Sequence, residues 1–168
     1  MMSKLGQFWR RETFPSRIRI LPLLWVLVLL GGLAWLDREP WHITEFLVPP
    51  FAATLSILLM LPKQPVAQPL PVILGSTLGA GLGTLVGLWG HGPLWAAGVA
   101  LLTFWLLVRI GIYHPPGIAL SMYPLLLRPG TWFPVVVLCF TGIAVLSSWQ
   151  LSGRVAGWPP YPLSHSKV

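Results

Sequence analysis

Residues 71–89 read PVILGSTLGAGLGTLVGLW, an uncharged segment with glycine at positions 75, 79, 83 and 87. The uncharged run extends further and covers residues 64–108. A core helix of a soluble protein needs one apolar stripe, whereas this run is apolar on all sides. Lipid is therefore the solvent that suits this segment.

The spacing of these glycines predicts close helix packing, because residues four apart lie on one face of a helix. The four positions are Gly75, Gly79, Gly83 and Gly87. Helices in lipid associate through such grooves of small residues, since lipid tails are as apolar as leucine. We therefore predict that this face packs against another helix, either within the chain or across a homo-oligomer interface.

The composition also indicates a membrane protein, with 55% of the 168 residues hydrophobic and 9% charged. A soluble domain has about 25% charged residues. Of the 11 Lys and Arg residues, five stand at or before the start of the first apolar segment, at positions 4, 10, 11, 17 and 19. The positive-inside rule places such a cluster in the cytoplasm and accounts for the basic excess without nucleic-acid binding.

The first apolar segment is predicted to stay in the protein as a transmembrane helix. It is longer than the roughly 7–15 residues of a signal-peptide core, and no A-x-A-like cleavage site follows it. We divide the chain into a basic cytoplasmic segment (1–18), a transmembrane domain (19–151) and a short polar tail (152–168). The predicted location is a bacterial inner membrane, with both termini in the cytoplasm.

Four apolar segments approach the roughly 20 residues that a helix needs to cross a bilayer. They are residues 19–36, 71–89, 94–113 and 132–151. Two shorter segments, residues 50–61 and 116–127, would span only about 18 Å as helices. Both begin at a Pro-Pro pair, which is a helix start signal. The sequence thus predicts an all-α membrane protein with four long transmembrane helices and two Pro-initiated half-helices, re-entrant or spanning.

The two short segments align at an offset of 66 residues, which places Val48-Pro49-Pro50 over His114-Pro115-Pro116. A long apolar segment precedes each of them, and another follows each. Internal duplication is one explanation, and the chance likeness of apolar segments is the other. Transport folds are often repeats whose broken helices form the binding site.

Three pieces of the chain resemble motifs of the HPP family of small membrane proteins, in the family's order. Residues 50–54 (PFAAT) resemble its Pro-Phe-Gly-Ala-Ser segment, residues 64–69 (QPVAQP) its Ser-Pro-Leu-Ala-Gln-Pro loop, and residues 113–119 (YHPPGIA) its His-Pro-Pro-Gly-Gly-Ala motif. The resemblance implies four transmembrane helices, and some plant-plastid and cyanobacterial members are linked to nitrite transport. This chain departs from the family at Leu70 and Pro71, where Arg-Asn is common, and at Ser76, where His or another polar residue often stands.

His114 is the most informative polar residue, because it stands directly before two prolines and a predicted helix start. Since the prolines lack N–H groups, residues 117–119 provide the first backbone donors. Such donors, with the positive end of the helix dipole, can bind an anion. Similar donors follow Pro50. The alternative is a histidine that only pairs with stray carbonyl groups at a helix break.

The predicted substrate pathway joins the starts of the two short helices. Arg109 and His114 would supply positive potential, while Gly117, Ala52 and Ala53 would let a ligand approach the backbone. Alternatively, Arg109 reaches from a helix end to water. The predicted pathway residues are His114, Pro115, Pro116, Gly117, Ala119, Arg109, Pro50, Ala52 and Ala53.

These residues favour a transporter or channel for a small monovalent anion, nitrite by resemblance. The alternative is a non-transporting membrane subunit or scaffold in which His-Pro-Pro is a packing break. A polar lining at the half-helix starts would favour transport, and a dry, packed centre would favour the alternative. We expect no enzyme, cofactor or metal site, because no orienting acid accompanies His114 and the four histidines lack metal-ligand spacing.

Overall fold

The computed structural model describes residues 19–37 and 49–162, and these form six helices and no strand. The helices are α1 (Ile20–Leu36), α2 (Pro49–Met60), α3 (Pro71–Val86), α4 (Pro93–Arg109), α5 (Pro115–Leu127) and α6 (Phe133–Leu151). The predicted all-α fold is confirmed, and α2 and α5 each begin one residue before the predicted half-helices. The predicted basic segment, residues 1–18, lies outside the described residues.

Proline sets the start of most helices, because its fixed φ suits the first turn and its missing N–H would be unpaired there anyway. It is the first residue of α2, α3, α4 and α5, and the second of α6. The π-helical turn Pro71–Gly75 opens α3 after a 3-10 turn at Pro65–Ala67. Gly92, with a φ of 106°, turns the chain into α4.

Among the described helices, only α6, with 19 residues, is long and apolar enough to cross a bilayer. Helices α1 and α4 have 17 residues each, and α3 is shorter. Four long transmembrane helices are therefore not confirmed. The predicted segments overestimated the helices because residues 87–89 and 110–113 are apolar but form turns and connections.

The outer surface of the bundle is nonetheless strongly apolar. Leu27, Leu101 and Trp132 are 65%, 69% and 72% exposed, and each of the six helices has large apolar side chains or alanines on its outer face. Soluble monomers rarely expose apolar patches larger than a few hundred Å². Lipid is the environment in which this surface is stable.

Helices α1 and α6 run in opposite directions. Near the start of α1, Trp25 donates its Nε1–H to Ser147 Oγ at 3.0 Å, near the end of α6. At the other end, Leu36 and Val135 line one apolar groove between the two helices. The core lies on the inner side of this pair, where buried side chains of α2, α5 and α6 pack together.

The residues after α6 fold back onto the start of α1. Gly157 lies against the guanidinium of Arg19, and the rings of Trp158 and Trp25 meet edge-on with centroids 5.4 Å apart. Trp158 and Tyr161 are buried, so packing continues past the boundary predicted at residue 151. The start of α1 and the segment after α6 thus lie at the same end of the bundle.

The order of helices repeats in the two halves of the described chain. A longer helix, a short Pro-Pro helix and a longer helix follow each other twice, as α1–α3 and α4–α6. The short helices begin 66 residues apart, at positions 49 and 115. The two halves nevertheless pack their short helices differently, and internal duplication and chance likeness both remain as explanations of the shared order.

Candidate functional site

Helices α3 and α5 touch backbone to backbone along a line that we call the glycine seam, formed by Gly75, Gly79 and Gly83 against α5. A methyl group added at Gly79 would overlap the backbone of Gly117, and one at Gly83 would overlap Ser121. A Cβ at Gly117 would in turn lie 2.5 Å from the carbonyl oxygen of Gly75. The partner of this glycine face is therefore a helix of the same chain.

Gly87 does not belong to the seam, contrary to its place in the predicted set of four. A Cβ there would lie 3.2 Å from the carbonyl oxygen of Gly83 and 3.3 Å from that of Thr84, both in its own segment. Gly87 directly follows the last residue of α3 and lines a cavity with Pro124 and Arg128 at the end of α5, and none of the three atoms nearest to that Cβ belongs to α5.

His114 lies at the end of the seam that contains Gly75. It belongs to the connection between α4 and α5 and is outside both helices. Its side chain is fully buried. Nδ1 lies 2.8 Å from the carbonyl oxygen of Val66, and Nε2 lies 3.1 Å from Thr54 Oγ1. Because a carbonyl oxygen only accepts hydrogen bonds, Nδ1 carries a hydrogen, and a neutral ring leaves Nε2 as an acceptor.

The Thr54 hydroxyl has one hydrogen and two neighbours that can accept it. One is His114 Nε2, and the other is the carbonyl oxygen of Pro50 at 3.0 Å. With a neutral ring, Thr54 can donate to the imidazole or to the carbonyl, but not fully to both. The Pro50 carbonyl also accepts the backbone N–H four residues later in α2, so donation by Thr54 to the imidazole leaves no acceptor of the cluster unsatisfied.

Burial keeps the His114 ring neutral. It lowers the pKa of His114 from 6.5 to about 4, because the charged form loses its hydration, and the hydrogen bond to the Val66 carbonyl offsets this only in part. The prediction that this imidazole supplies positive charge near pH 6.5 is therefore wrong for this packing. The sequence places the histidine at a helix start but does not reveal that the ring is enclosed.

The backbone donors at the start of α5 are also partly used. The Gly117 N–H donates to the carbonyl oxygen of His114 at 2.9 Å, although it was predicted to be free for an anion. Pro116 and Gly117 are both buried, and α3 covers Gly117 at the seam. In this packing an anion would have to displace α3 to reach these donors.

The predicted pathway residues divide into an inner and an outer set. His114, Pro116 and Gly117 are buried at the α3–α5 contact. Pro50 is half-buried, with its carbonyl oxygen beside Thr54. The exposed residues are Ala52, Ala53, Arg109, Pro115 and Ala119. The structure therefore joins the histidine to the start of α2 through Thr54 and not through the two alanines.

Three residues that the sequence analysis did not single out for the site complete it. Thr54 and Val66 contact the histidine, and Ser76 lies beside Gly117 with its hydroxyl buried and without a hydrogen-bond partner in the described part of the chain. Thr54 belongs to residues 50–54 and Val66 to residues 64–69, so the three family-like motifs meet at His114. The presence of all three motifs in one sequence was therefore the signal that could have pointed to Thr54 and Val66.

Within residues 19–37 and 49–162, no three His, Cys, Asp or Glu side chains are placed to share a metal ion. The chemistry of the cluster is that of neutral hydroxyl, imidazole and carbonyl groups. Such groups can replace part of the hydration shell of a small solute, but none of them is a charged ligand.

The chain is similar to one family of membrane proteins along most of its length. The model of the family described as "HPP, transmembrane region" matches residues 12–162. No curated protein and no solved structure matches the chain. Because the match spans most of the sequence and includes all three motifs that meet at His114, the chain belongs to the HPP family of membrane proteins.

Proposed function

We propose that this membrane protein is a transporter or channel for a small monovalent anion, with nitrite as the first ion to test. The observation that carries the proposal is the meeting of three motif segments at a buried polar cluster within an apolar bundle. An unpaired hydroxyl in such surroundings is costly, and buried polar groups within a membrane often mark a substrate pathway. Ser76 has such a hydroxyl within the described residues, and its backbone nitrogen lies against Gly117.

In the proposed mechanism, the described packing is a closed state. The anion passes when α3 and α5 separate at the seam and expose the hydroxyls of Ser76 and Thr54 and the N–H groups at the start of α5. These donors replace water around the ion without a fixed positive charge at the centre. Arg109, exposed at the end of α4, adds positive potential at the entrance. The proposed setting is a bacterial inner membrane with the N-terminus in the cytoplasm.

Ser76→Ala tests the proposal most directly, because stability and transport should respond in opposite ways. Removing a buried, unpaired hydroxyl should leave the thermal stability unchanged or higher. Nitrite uptake into proteoliposomes should fall at least several-fold if the hydroxyl contacts the ion. Wild-type uptake by a folded Ser76→Ala protein would remove this residue from the pathway.

Thr54→Ala and Ser56→Ala form a matched pair on α2. Both hydroxyls donate to the carbonyl group four residues earlier, but Thr54 is buried against His114 and Ser56 is exposed. Nitrite uptake should fall for Thr54→Ala and stay unchanged for Ser56→Ala. If the two variants changed nitrite uptake equally, transport would not depend on the histidine cluster.

The tight packing favours a second candidate, a non-transporting membrane subunit or scaffold. The cavities described between the helices and their connections, among them the groove between α1 and α6, do not touch His114, Gly117 or Ser76. In this reading the motif only fixes the contact between α3 and α5. Folded wild-type protein that carries none of nitrite, nitrate, formate or chloride across a bilayer would support this role and exclude transport of those ions.

A further inference from the structure

A second polar site lies at the opposite end of the α3–α5 contact from His114. It is a cavity of about 140 Å³ at the point where α3 and α5 end and α6 is about to begin. The chain reaches it through the connection after α3, which contributes His91, and the connection after α5, which contributes Arg128 and Thr131. Thr84 and Pro124 complete the wall from the two helices.

The charges around this cavity are positive or neutral. Arg128 brings a permanent cation, His91 brings an imidazole, and no carboxylate is among the residues that line the cavity. The Thr84 hydroxyl is buried and has no hydrogen-bond partner within the described residues. A cation, two hydroxyls and an imidazole around one space form a donor set that suits an anion.

Arg128 and His91 both stand in connections between helices, and the backbone of Arg128 has an unusual conformation. Arg128 has φ 56° and ψ 55°, the left-handed region that glycine or asparagine usually occupies at the end of a helix. It is held there by a hydrogen bond from its N–H to the Pro124 carbonyl oxygen at 3.2 Å. Observed strain of this kind is a reason to look for function, because glycine would fit without it.

His91 faces the cavity from the other connection. A Cβ added at Gly87 would lie 3.7 Å from His91 Nε2, so the imidazole reaches back over the end of α3. The missing side chain at Gly87 leaves space beside the ring. This placement explains the role of the fourth glycine of the α3 segment, which takes no part in the seam.

We propose that this cavity binds a small monovalent oxyanion, with the Arg128 guanidinium as the main contact and the Thr84 hydroxyl and the His91 imidazole as further hydrogen-bond partners. A volume of about 140 Å³ leaves room for a small anion beside these side chains. The choice of ligand rests on the proposed anion transport. The site would hold the ion before it enters, or after it leaves, the α3–α5 contact.

Arg128→Gly is the sharpest test, because it separates binding from folding. Purified wild-type protein in mild detergent is titrated with sodium nitrite at constant ionic strength, with isothermal titration calorimetry and thermal unfolding as readouts. Nitrite should bind saturably and raise the unfolding temperature. Arg128→Gly should unfold at a higher temperature than the wild type, since glycine relieves the strained turn, but should bind nitrite at least tenfold more weakly.

Two further variants control for charge and for the local hydroxyl. Arg154→Gln removes an exposed cation that follows α6 and should bind nitrite as the wild type does. Thr84→Val should fold normally and bind nitrite several-fold more weakly. Equal nitrite affinity for Arg128→Gly and wild type would overturn the inference, and so would a wild-type protein that binds neither nitrite nor formate.

The outcomes also distinguish this inference from the proposed function. Nitrite binding that depends on Arg128, without uptake into proteoliposomes, would refute transport and leave the binding site standing. Uptake that is unchanged in Arg128→Gly, with unchanged nitrite affinity, would refute the site and leave transport standing.

Discussion

Helices α2 and α5 both begin with two prolines, but the third residue is Phe51 in α2 and Gly117 in α5. Phe51 is fully buried and stacks on Phe140 of α6, with ring centroids 4.1 Å apart. Gly117 is also buried, yet it has no side chain and lies against the backbone of Gly75. Two helices with the same start signal are therefore held by different contacts.

The comparison separates what starts a helix from what places it. The prolines fix the first turn in both helices through φ and the missing N–H. The third residue then sets the distance to the neighbouring helix, because a phenyl ring holds α2 away from α6 whereas glycine lets α5 touch α3. A backbone contact tolerates no added atom, while a ring contact tolerates some loss of volume.

The largest effect should come from placing a large side chain in the glycine seam. Gly79→Leu should prevent the bundle from assembling, because a leucine would overlap the backbone of Gly117. Overpacking typically costs about 1–3 kcal/mol where side chains can shift, and a backbone cannot shift in that way. Gly83→Leu should behave similarly against Ser121. Yield from membranes and the thermal unfolding temperature in mild detergent provide the measurement.

Gly81→Leu is the matched control on α3, because a Cβ there meets nothing within 4 Å. It should give wild-type yield and stability. If Gly79→Leu and Gly81→Leu unfold at the same temperature, the seam is not a backbone contact and the contrast with α2 fails.

A smaller effect is expected at the aromatic contact of α2. Phe51→Ala should leave a folded protein that is less stable by about 3 kcal/mol, because it creates a cavity beside Phe140 but no overlap. Phe51→Leu should recover much of that loss. A greater loss of yield for Phe51→Ala than for Gly79→Leu would reverse the order that the comparison predicts.

The effect that is smallest near neutral pH concerns the residue before each Pro-Pro pair, which is His114 before α5 and Val48 before α2. The pKa of His114 in the folded protein, about 4, is below its ordinary value of 6.5, so the unfolded chain takes up the proton first. This contribution to stability is fully present above about pH 6.5 and is lost as the pH falls toward 4. Its slope is at most about 1.4 kcal/mol per pH unit.

His114→Gln provides the reference for this pH dependence. Thermal unfolding between pH 4 and 8 should show a steeper loss toward acid for the wild type than for His114→Gln. Anion uptake should not rise as the pH falls through 6.5, in contrast to the sequence-based expectation of a cationic histidine. Parallel stability curves for the two proteins would place the ring in contact with water.

Several features could be predicted from the sequence, because they depend on neighbouring residues. The prolines at 49, 93 and 115 mark helix starts within one residue, and the uncharged run of residues 64–108 indicates lipid. The spacing of Gly75, Gly79 and Gly83 predicts a tightly packed face, since helix geometry alone places them together. Periodicity and composition carry this information along the chain.

The tertiary structure alone decided what each face meets. The partner of the glycine face is α5, Ala52 and Ala53 point outward, and His114 is enclosed by groups 48 and 60 residues away in sequence. The neutral state of the His114 ring follows from that enclosure. The free-energy cost of removing the hydration of a charged ring depends on its burial and not on its neighbours in the chain. Local sequence sets where helices begin, and long-range packing sets which polar groups remain exposed, paired or charged.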